Sequence, residues 1–236
     1  MEYVRNLCTI GPGDIALVGG KAANLGVLLQ KEMPVPPGYV LLTTAYQKFL
    51  IANCIQAEIE RLVASVNASK PTTVEQASIG IRDLFEQGNI PEEVSQAIRT
   101  AYEQVGSSSV VIRSSATAED LSSSSFAGQK ESYLNVVGAE QVLAAVKRCW
   151  SSLWTARAIA YRAQQGIPAD GVSMAVIVQL MVPAKVSGVL FTINPVTGNQ
   201  DEMVMNAAWG LGEALVSGQV TPDTLLIEKA SGQVKQ

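Results

Sequence analysis

Hydrophobic residues recur every three or four positions through much of the first half of the chain. This spacing lines one face of a helix, so it predicts amphipathic helices. The predicted helices cover residues 21–30, 43–66, 72–87, 91–105 and 140–163. Thr72 and Glu75 fit a capping box and Gly88 fits a C-cap, which predicts both ends of the third helix.

Short apolar runs bounded by turn residues predict strands instead. The predicted strands cover residues 39–42, 110–113, 133–137, 173–182, 188–192 and 202–207, with a hairpin of residues 224–229 and 233–235. Helices with a few strands give way to mainly strands near residue 170. This order predicts an α+β protein with two lobes, residues 1–170 and 171–236.

The chain contains no histidine, and this excludes several kinds of chemistry. Ser-His-Asp and Cys-His nucleophile systems, histidine zinc sites and an internal phosphohistidine relay all need that side chain. Seventeen basic and 21 acidic residues give a net charge of −4, and each half of the chain carries −2. Without a basic stripe, the sequence predicts no nucleic-acid partner and no anionic membrane partner.

The cysteines and the apolar stretches indicate where the protein works. Cys8, Cys54 and Cys149 are far apart, which favours free thiols in a reducing compartment. The longest apolar stretch, Met174 to Val182, is too short to span a bilayer. We therefore expect a cytoplasmic protein.

The first segment that could carry chemistry is Gly19-Gly20-Lys21. Glycines let the backbone approach an anion closely, and a following helix exposes free N–H groups. It is not the standard nucleotide loop, because Ile15 and Ala22 stand where that loop has its first glycine and its magnesium-binding hydroxyl. These residues alone leave open a tight turn with a solvent-exposed lysine.

The second segment is Arg113 with the small, polar residues 114–129 behind it. An arginine at a strand end can bind phosphate through two hydrogen bonds, and such a loop can fold over a polyphosphate as a lid. A solvated loop beside an arginine at the edge of the core fits the same residues.

Two further segments are weaker signals. Residues 179–182 end an apolar strand and could offer backbone groups to an adenine edge, or be ordinary core. Glu213 follows Gly210 and Gly212 where a helix could begin. A dinucleotide-binding fingerprint fails there, since Leu215 replaces the third glycine. Glu213 is then either a helix-capping acid or a ligand contact.

Taken in order, six stretches resemble the nucleotide-binding N-terminal domain of phosphoenolpyruvate synthase and pyruvate, phosphate dikinase. They are VGGKAANLG, VPPGY, VIRSSATAEDLSSSSFAGQ, NPVTG, NAAWGLGEALVSG and VTPD, and they extend from about Val18 to Asp223. Rifampicin phosphotransferases are near relatives, because RSSATAEDL with SFAGQ is similar to theirs. The resemblance implies an ATP-grasp-like fold, whose two α+β lobes close on ATP and Mg²⁺. We expect the second lobe to be truncated here.

The resemblance also implies residue roles. Lys21 would contact ATP phosphates and Arg113 would stabilise the transferring phosphoryl group, so these are the candidate catalytic residues. Residues 122–129 would form the lid, 179–182 the hinge beside adenine, and Glu213 an acid near the nucleotide. The candidate ATP-binding residues are Gly19, Gly20, Ser114, Thr117, Ser125, Ala127, Gly128, Gln129, Gln179, Leu180, Met181, Val182, Thr192 and Glu213. The metal ligands are expected downstream of this chain.

The implied reaction uses two partners beyond these residues. ATP would give its β-phosphate to a phosphohistidine domain and then to pyruvate in a barrel domain, leaving AMP, phosphoenolpyruvate and phosphate. Both domains would lie downstream or on a separate chain, so we expect a fragment or a split protein that is inactive alone. Two alternatives stay open: the ATP-binding domain of a rifampicin-type phosphotransferase, and a non-catalytic nucleotide-binding or regulatory module.

Overall fold

The computed structural model describes residues 1–67, 69–117, 132–169 and 171–235. The chain divides into two compact units, Met1–Met181 and Val182–Gln236. Each unit combines helix with an antiparallel sheet, which confirms the predicted α+β class. For the strand predicted over 173–182, the structure has a strand Met174–Leu180 in the sheet of the first unit, whereas the lobe boundary at residue 170 stays a prediction.

The first unit is built on a five-stranded antiparallel sheet. In chain order its strands are β1 (Val4–Asn6), β2 (Gly38–Leu41), β3 (Val110–Ala116), β4 (Ser132–Val136) and β5 (Met174–Leu180). Their order across the sheet is β1-β2-β5-β3-β4, so the last strand of the unit lies at its centre. Six of the seven residues of β5 are buried, which explains why its sequence is a continuous apolar run.

Helices cover both faces of this sheet. They are α1 (Ile15–Gln30), α2 (Thr43–Ala52), α3 (Gln56–Ala64), α4 (Pro71–Gln87), α5 (Glu92–Gln104), α6 (Ala139–Ser152) and α7 (Ala156–Gln165). On β5, Ala175 and Ile177 pack in one apolar cluster with α1, while Val176 and Val178 pack in a larger cluster with the other helices. Alternate residues of a strand point to opposite faces of a sheet. At the centre of this sheet, α1 is therefore the one of the seven described helices that packs on the face of Ala175 and Ile177.

Two predicted helices are each two helices in the structure. The stripe over 43–66 is broken between α2 and α3, where Cys54 has a φ of 54°. The stripe over 140–163 is broken before α7, whose N-cap Thr155 accepts a hydrogen bond from the Ala158 amide. The apolar spacing continues across both breaks because the helices on either side bury residues in the same core.

The ends of α4 test the predicted caps. The capping box of Thr72 with Glu75 is wrong, because the helix begins at Pro71 with Lys70 as its N-cap. Proline suits the first helical position, where its missing N–H has no partner in any case. Gly88 is the C-cap, as predicted.

The second unit contains a three-stranded antiparallel sheet and one short helix. Its elements are β6 (Val186–Phe191), β7 (Glu202–Trp209), α8 (Gly212–Val216) and β8 (Asp223–Glu228). The predicted hairpin is present, since Ile227 pairs with Val234. Among the residues described in this unit, Asn194 alone is buried. No helix in the described part of the whole chain is long and apolar enough to cross a membrane.

Candidate functional site

The Gly19-Gly20-Lys21 segment forms a kink inside α1. Gly19 has φ 72° and ψ 165°, so four helical residues precede it and the rest of the helix follows in a new direction. A Cβ on Gly19 would lie 2.4 Å from the backbone oxygen of Ser115. A positive φ and a close main-chain contact together require glycine at this position.

Lys21 reaches from this kink to the end of β3. Its Nζ donates a hydrogen bond to the Ser114 carbonyl oxygen at 2.7 Å. Its side chain is half-buried, whereas Gly19, Gly20 and Ser114 are buried. The structure therefore brings the predicted site residues Gly19, Gly20 and Lys21 together with Ser114, which is 93 positions from Lys21 in the sequence.

Ser115 is a residue of this cluster that the sequence analysis did not select. Its hydroxyl donates to the Val18 carbonyl at 2.8 Å and accepts from the Ala22 amide at 3.3 Å. The side chain is fully buried. The available signal was a second serine in line with an apolar strand, but the pair Ser114-Ser115 resembles the start of the polar loop.

Arg113 lies on the same strand and on the face of the sheet that α1 covers. It is paired with Ile177 of β5, while Ser115 is paired with Ala175, and directly opposed residues share a face. Arg113 is half-buried. Thr117 follows the strand, and its hydroxyl donates to the Ser173 carbonyl at 3.3 Å.

Gln179 shares this face but is engaged with the protein itself. It pairs with Val111, two positions along β3 from Arg113. Its side chain is buried, and Nε2 donates to the Pro36 carbonyl at 2.9 Å. This bond attaches the VPPG turn to the central strand. A nucleotide-binding role for Gln179 stays a prediction.

The neighbouring residues of the predicted hinge also use their amides within the fold. The Leu180 amide donates to the Pro37 carbonyl, and the Met181 amide donates to the Ser109 carbonyl, both at 2.9 Å. Their carbonyl oxygens are the groups that this segment could offer to an adenine amino group.

The other predicted residues fall into two sets. Val182, Thr192 and Glu213 belong to the second unit, and all three are exposed. Glu213 lies in the first turn of α8, after Gly210 with φ 83°. The second set, Ser125, Ala127, Gly128 and Gln129 of the predicted lid, lies outside the described residues.

No group of three or more acidic, cysteine or histidine side chains in the described residues could hold a metal ion. Two cations belong to this region instead: Lys21 bonds to the Ser114 carbonyl of β3, and Arg113, in the middle of that strand, precedes Ser114. Such a set suits the oxygens of an anion such as phosphate.

The comparison with protein families shows which family the chain belongs to. Residues 15–236 match the family model described as pyruvate phosphate dikinase, AMP/ATP-binding domain. The chain belongs to this family. The resemblance found in the sequence is thereby confirmed, and the match to the pyruvate phosphate dikinase AMP/ATP-binding domain extends over residues of both compact units.

Curated relatives of this AMP/ATP-binding domain are much longer proteins. The chain is 41% identical to a probable phosphoenolpyruvate synthase of Methanothermobacter thermautotrophicus, over 99% of this chain and 35% of that protein. It is 44% identical to a phosphoenolpyruvate synthase of Aeropyrum pernix, over 93% and 28%. For a probable phosphoenolpyruvate synthase of Archaeoglobus fulgidus the identity is 43%, over 98% and 31%. The chain thus spans about a third of the length of these relatives.

Proposed function

We propose that the chain is the ATP-binding part of a phosphoenolpyruvate synthase-type dikinase. It binds ATP with Mg²⁺ and donates the β-phosphate to a histidine on a separate domain, and the resulting phosphohistidine transfers it to pyruvate. Water takes up the γ-phosphate, so the products are AMP, phosphoenolpyruvate and phosphate. In this proposal the fold is ATP-grasp-like.

One observation carries the proposal at the level of residues. The kink at Gly19 and the bond from Lys21 to the Ser114 carbonyl place an ammonium group at the end of the strand that also carries Arg113. A moving phosphoryl group spreads negative charge over its equatorial oxygens, and preorganised cations stabilise that charge. Lys21 supplies a mobile point charge, and Arg113 supplies a planar fork that can bind two oxygens at once.

The missing histidine fits a reaction in which this chain binds ATP and another domain accepts the phosphoryl group. With no histidine among the 236 residues, the phosphoryl acceptor has to be on another domain or another chain. The described residues offer no carboxylate cluster for Mg²⁺, so the protein ligands of the metal would lie outside them. The names of the relatives favour pyruvate over rifampicin as the final acceptor.

The test follows labelled phosphate in a polypeptide that contains both this chain and the phosphohistidine domain. We expect label from the β-position of ATP to remain on histidine, with AMP as the nucleotide product. Lys21→Ala and Arg113→Ala should each reduce that transfer by about two orders of magnitude or more, because each removes charge stabilisation from the transition state. Lys31→Ala is the matched control, since Lys31 is exposed just beyond the end of α1.

Three outcomes would contradict the proposal. Label from the γ-position alone on histidine, with ADP instead of AMP as the nucleotide product, would indicate an ordinary kinase. Activity within a few-fold of wild type for both variants would mean that the phosphate contacts lie elsewhere. Tight ATP binding with no transfer at all would favour the alternative of a nucleotide-binding or regulatory module.

A further inference from the structure

The Ser115 hydroxyl occupies the place of a missing helical hydrogen bond. In a regular α-helix the amide of residue 22 would donate to the carbonyl of residue 18. Here the Ala22 amide donates to Ser115 Oγ at 3.3 Å, and Ser115 Oγ donates to the Val18 carbonyl at 2.8 Å. A side chain from β3 is therefore inserted into the hydrogen-bond ladder of α1. Insertion of this kind is a known cause of sharp helix kinks.

Burial makes this insertion costly to remove. Ser115, Val18 and Ala22 are all fully buried, so a lost partner would not be replaced by bulk water. Buried main-chain groups without a hydrogen bond are strongly disfavoured. Without the hydroxyl, α1 would have to straighten and close the direct bond, or leave two polar groups unsatisfied.

The kink in turn determines where Lys21 points. Lys21 is the second residue after Gly19, and its ammonium group contacts the carbonyl of Ser114, the neighbour of Ser115 in β3. The backbone oxygen of Ser115 also lies where a Cβ of Gly19 would be. The strand end and the kinked helix thus interlock through Ser115, one residue away from the acceptor of the lysine.

We propose that Ser115 is a positioning residue, whose hydroxyl maintains the kink in α1 and thereby holds Lys21 at the phosphate site. This inference rests on the proposed function, because it assumes that Lys21 contacts ATP phosphates. Ser115 acts through Lys21, so its loss affects ligands with a polyphosphate chain and leaves contacts to the nucleoside unchanged.

The test measures binding of ATP and of AMP to the 236-residue chain by titration calorimetry. The variants are Ser115→Ala, Lys21→Ala and the double substitution. We expect Ser115→Ala to weaken ATP binding about tenfold, the size of a lost charge-assisted contact, with AMP affinity within about twofold of wild type. In the Lys21→Ala background, Ser115→Ala should cause no further loss of ATP affinity, because residues that act as a unit are not additive.

Ser78→Ala is the control for a lost buried hydroxyl. Ser78 is buried, and its hydroxyl donates to the Trp154 carbonyl at 2.7 Å, in the helical layer of the same unit. This variant should lose stability without changing the ratio of ATP to AMP affinity. Should Ser115→Ala not fold, Ser115→Cys keeps the volume with a weaker donor, and the same selective loss is expected with smaller size.

The outcomes separate this inference from the function on which it rests. Wild-type chain that binds neither nucleotide would contradict the proposed function. Wild-type binding of ATP with an unchanged ATP-to-AMP ratio in Ser115→Ala would overturn the role of Ser115 alone. Additive losses in the double variant would do the same, because Ser115 would then act independently of Lys21.

Discussion

At the scale of single residues, Gly19 is under two separate constraints. Its φ of 72° disfavours any side chain, and a Cβ would meet a main-chain oxygen, which cannot rotate away. We expect Gly19→Ala to lower the free energy of unfolding by about 2–4 kcal/mol through strain and overpacking. Urea unfolding measures the change. Gly13→Ala is the control, because a Cβ there has no neighbour within 4 Å, and equal stability of the two variants would contradict the account.

Two buried tyrosines and one buried arginine predict how stability depends on alkaline pH. Burial raises the pKa of the phenols of Tyr39 and Tyr46 above their usual value, and burial lowers the pKa of the Arg162 guanidinium to about 10. Above pH ~10 the unfolded chain releases the phenolic protons and the native chain keeps them, so stability falls as pH rises. Arg162 works in the opposite direction, because there the native chain loses its proton first.

Because two phenols oppose one guanidinium, the net effect of raising the pH is a loss of stability. We expect the free energy of unfolding to fall between pH 10 and 11.5, with each phenol contributing up to ~1.4 kcal/mol per pH unit. Tyr39→Phe should make this fall shallower, since it removes one of the two phenols. Within the described part of the chain, the only hydrogen bond lost is the long one, 3.5 Å, from the Tyr39 hydroxyl to the Ile98 carbonyl. Urea unfolding at a series of pH values measures how steeply the free energy of unfolding falls with pH. Identical slopes for the wild type and Tyr39→Phe would show that burial of Tyr39 does not control this fall.

At the scale of elements, the apolar pattern predicted where helices lie better than where they end. It could not predict the breaks before α3 and α7, because the helices on either side of each break face one core. The local signs of these breaks were residues that can also lie inside a helix. Thr155 caps α7 through its side chain, but a threonine inside a helical stripe is ordinary. Cys54 has a φ in the left-handed region, which a cysteine does not favour.

The position of β5 shows what a single sequence leaves undetermined. Its apolar run predicted a buried strand, and the strand is present. Its partners β2 and β3 are far away in the sequence, so neither periodicity nor turn residues could identify them. The order of elements along the chain instead predicted that β5 belongs with the later strands, in the second lobe. The same limit applies to the candidate site. Motifs in the sequence identified Lys21 and Arg113, but the link through Ser115 is a contact between distant segments, which no motif indicates.

At the scale of the whole molecule, the two units differ in how much they bury. In the first unit the central strand β5 is almost wholly buried between two layers of helices. In the second unit, Asn194 is the single buried residue among those described, and Trp209 is 83% exposed. Because burial of apolar surface is the main stabilising contribution, the two units should open with different free energies in this chain.

Hydrogen exchange followed by mass spectrometry can measure this difference within one sample. We expect the amides of β7, the middle strand of the second sheet, to exchange at least about 100-fold faster than those of β5, the middle strand of the first. Each strand has a hydrogen-bonded neighbour on both sides, so the comparison isolates burial from strand pairing. Equal protection of the two strands would mean that the units open together. In that case the small core of the second unit would not determine its stability, and contacts outside its own sheet would have to stabilise it.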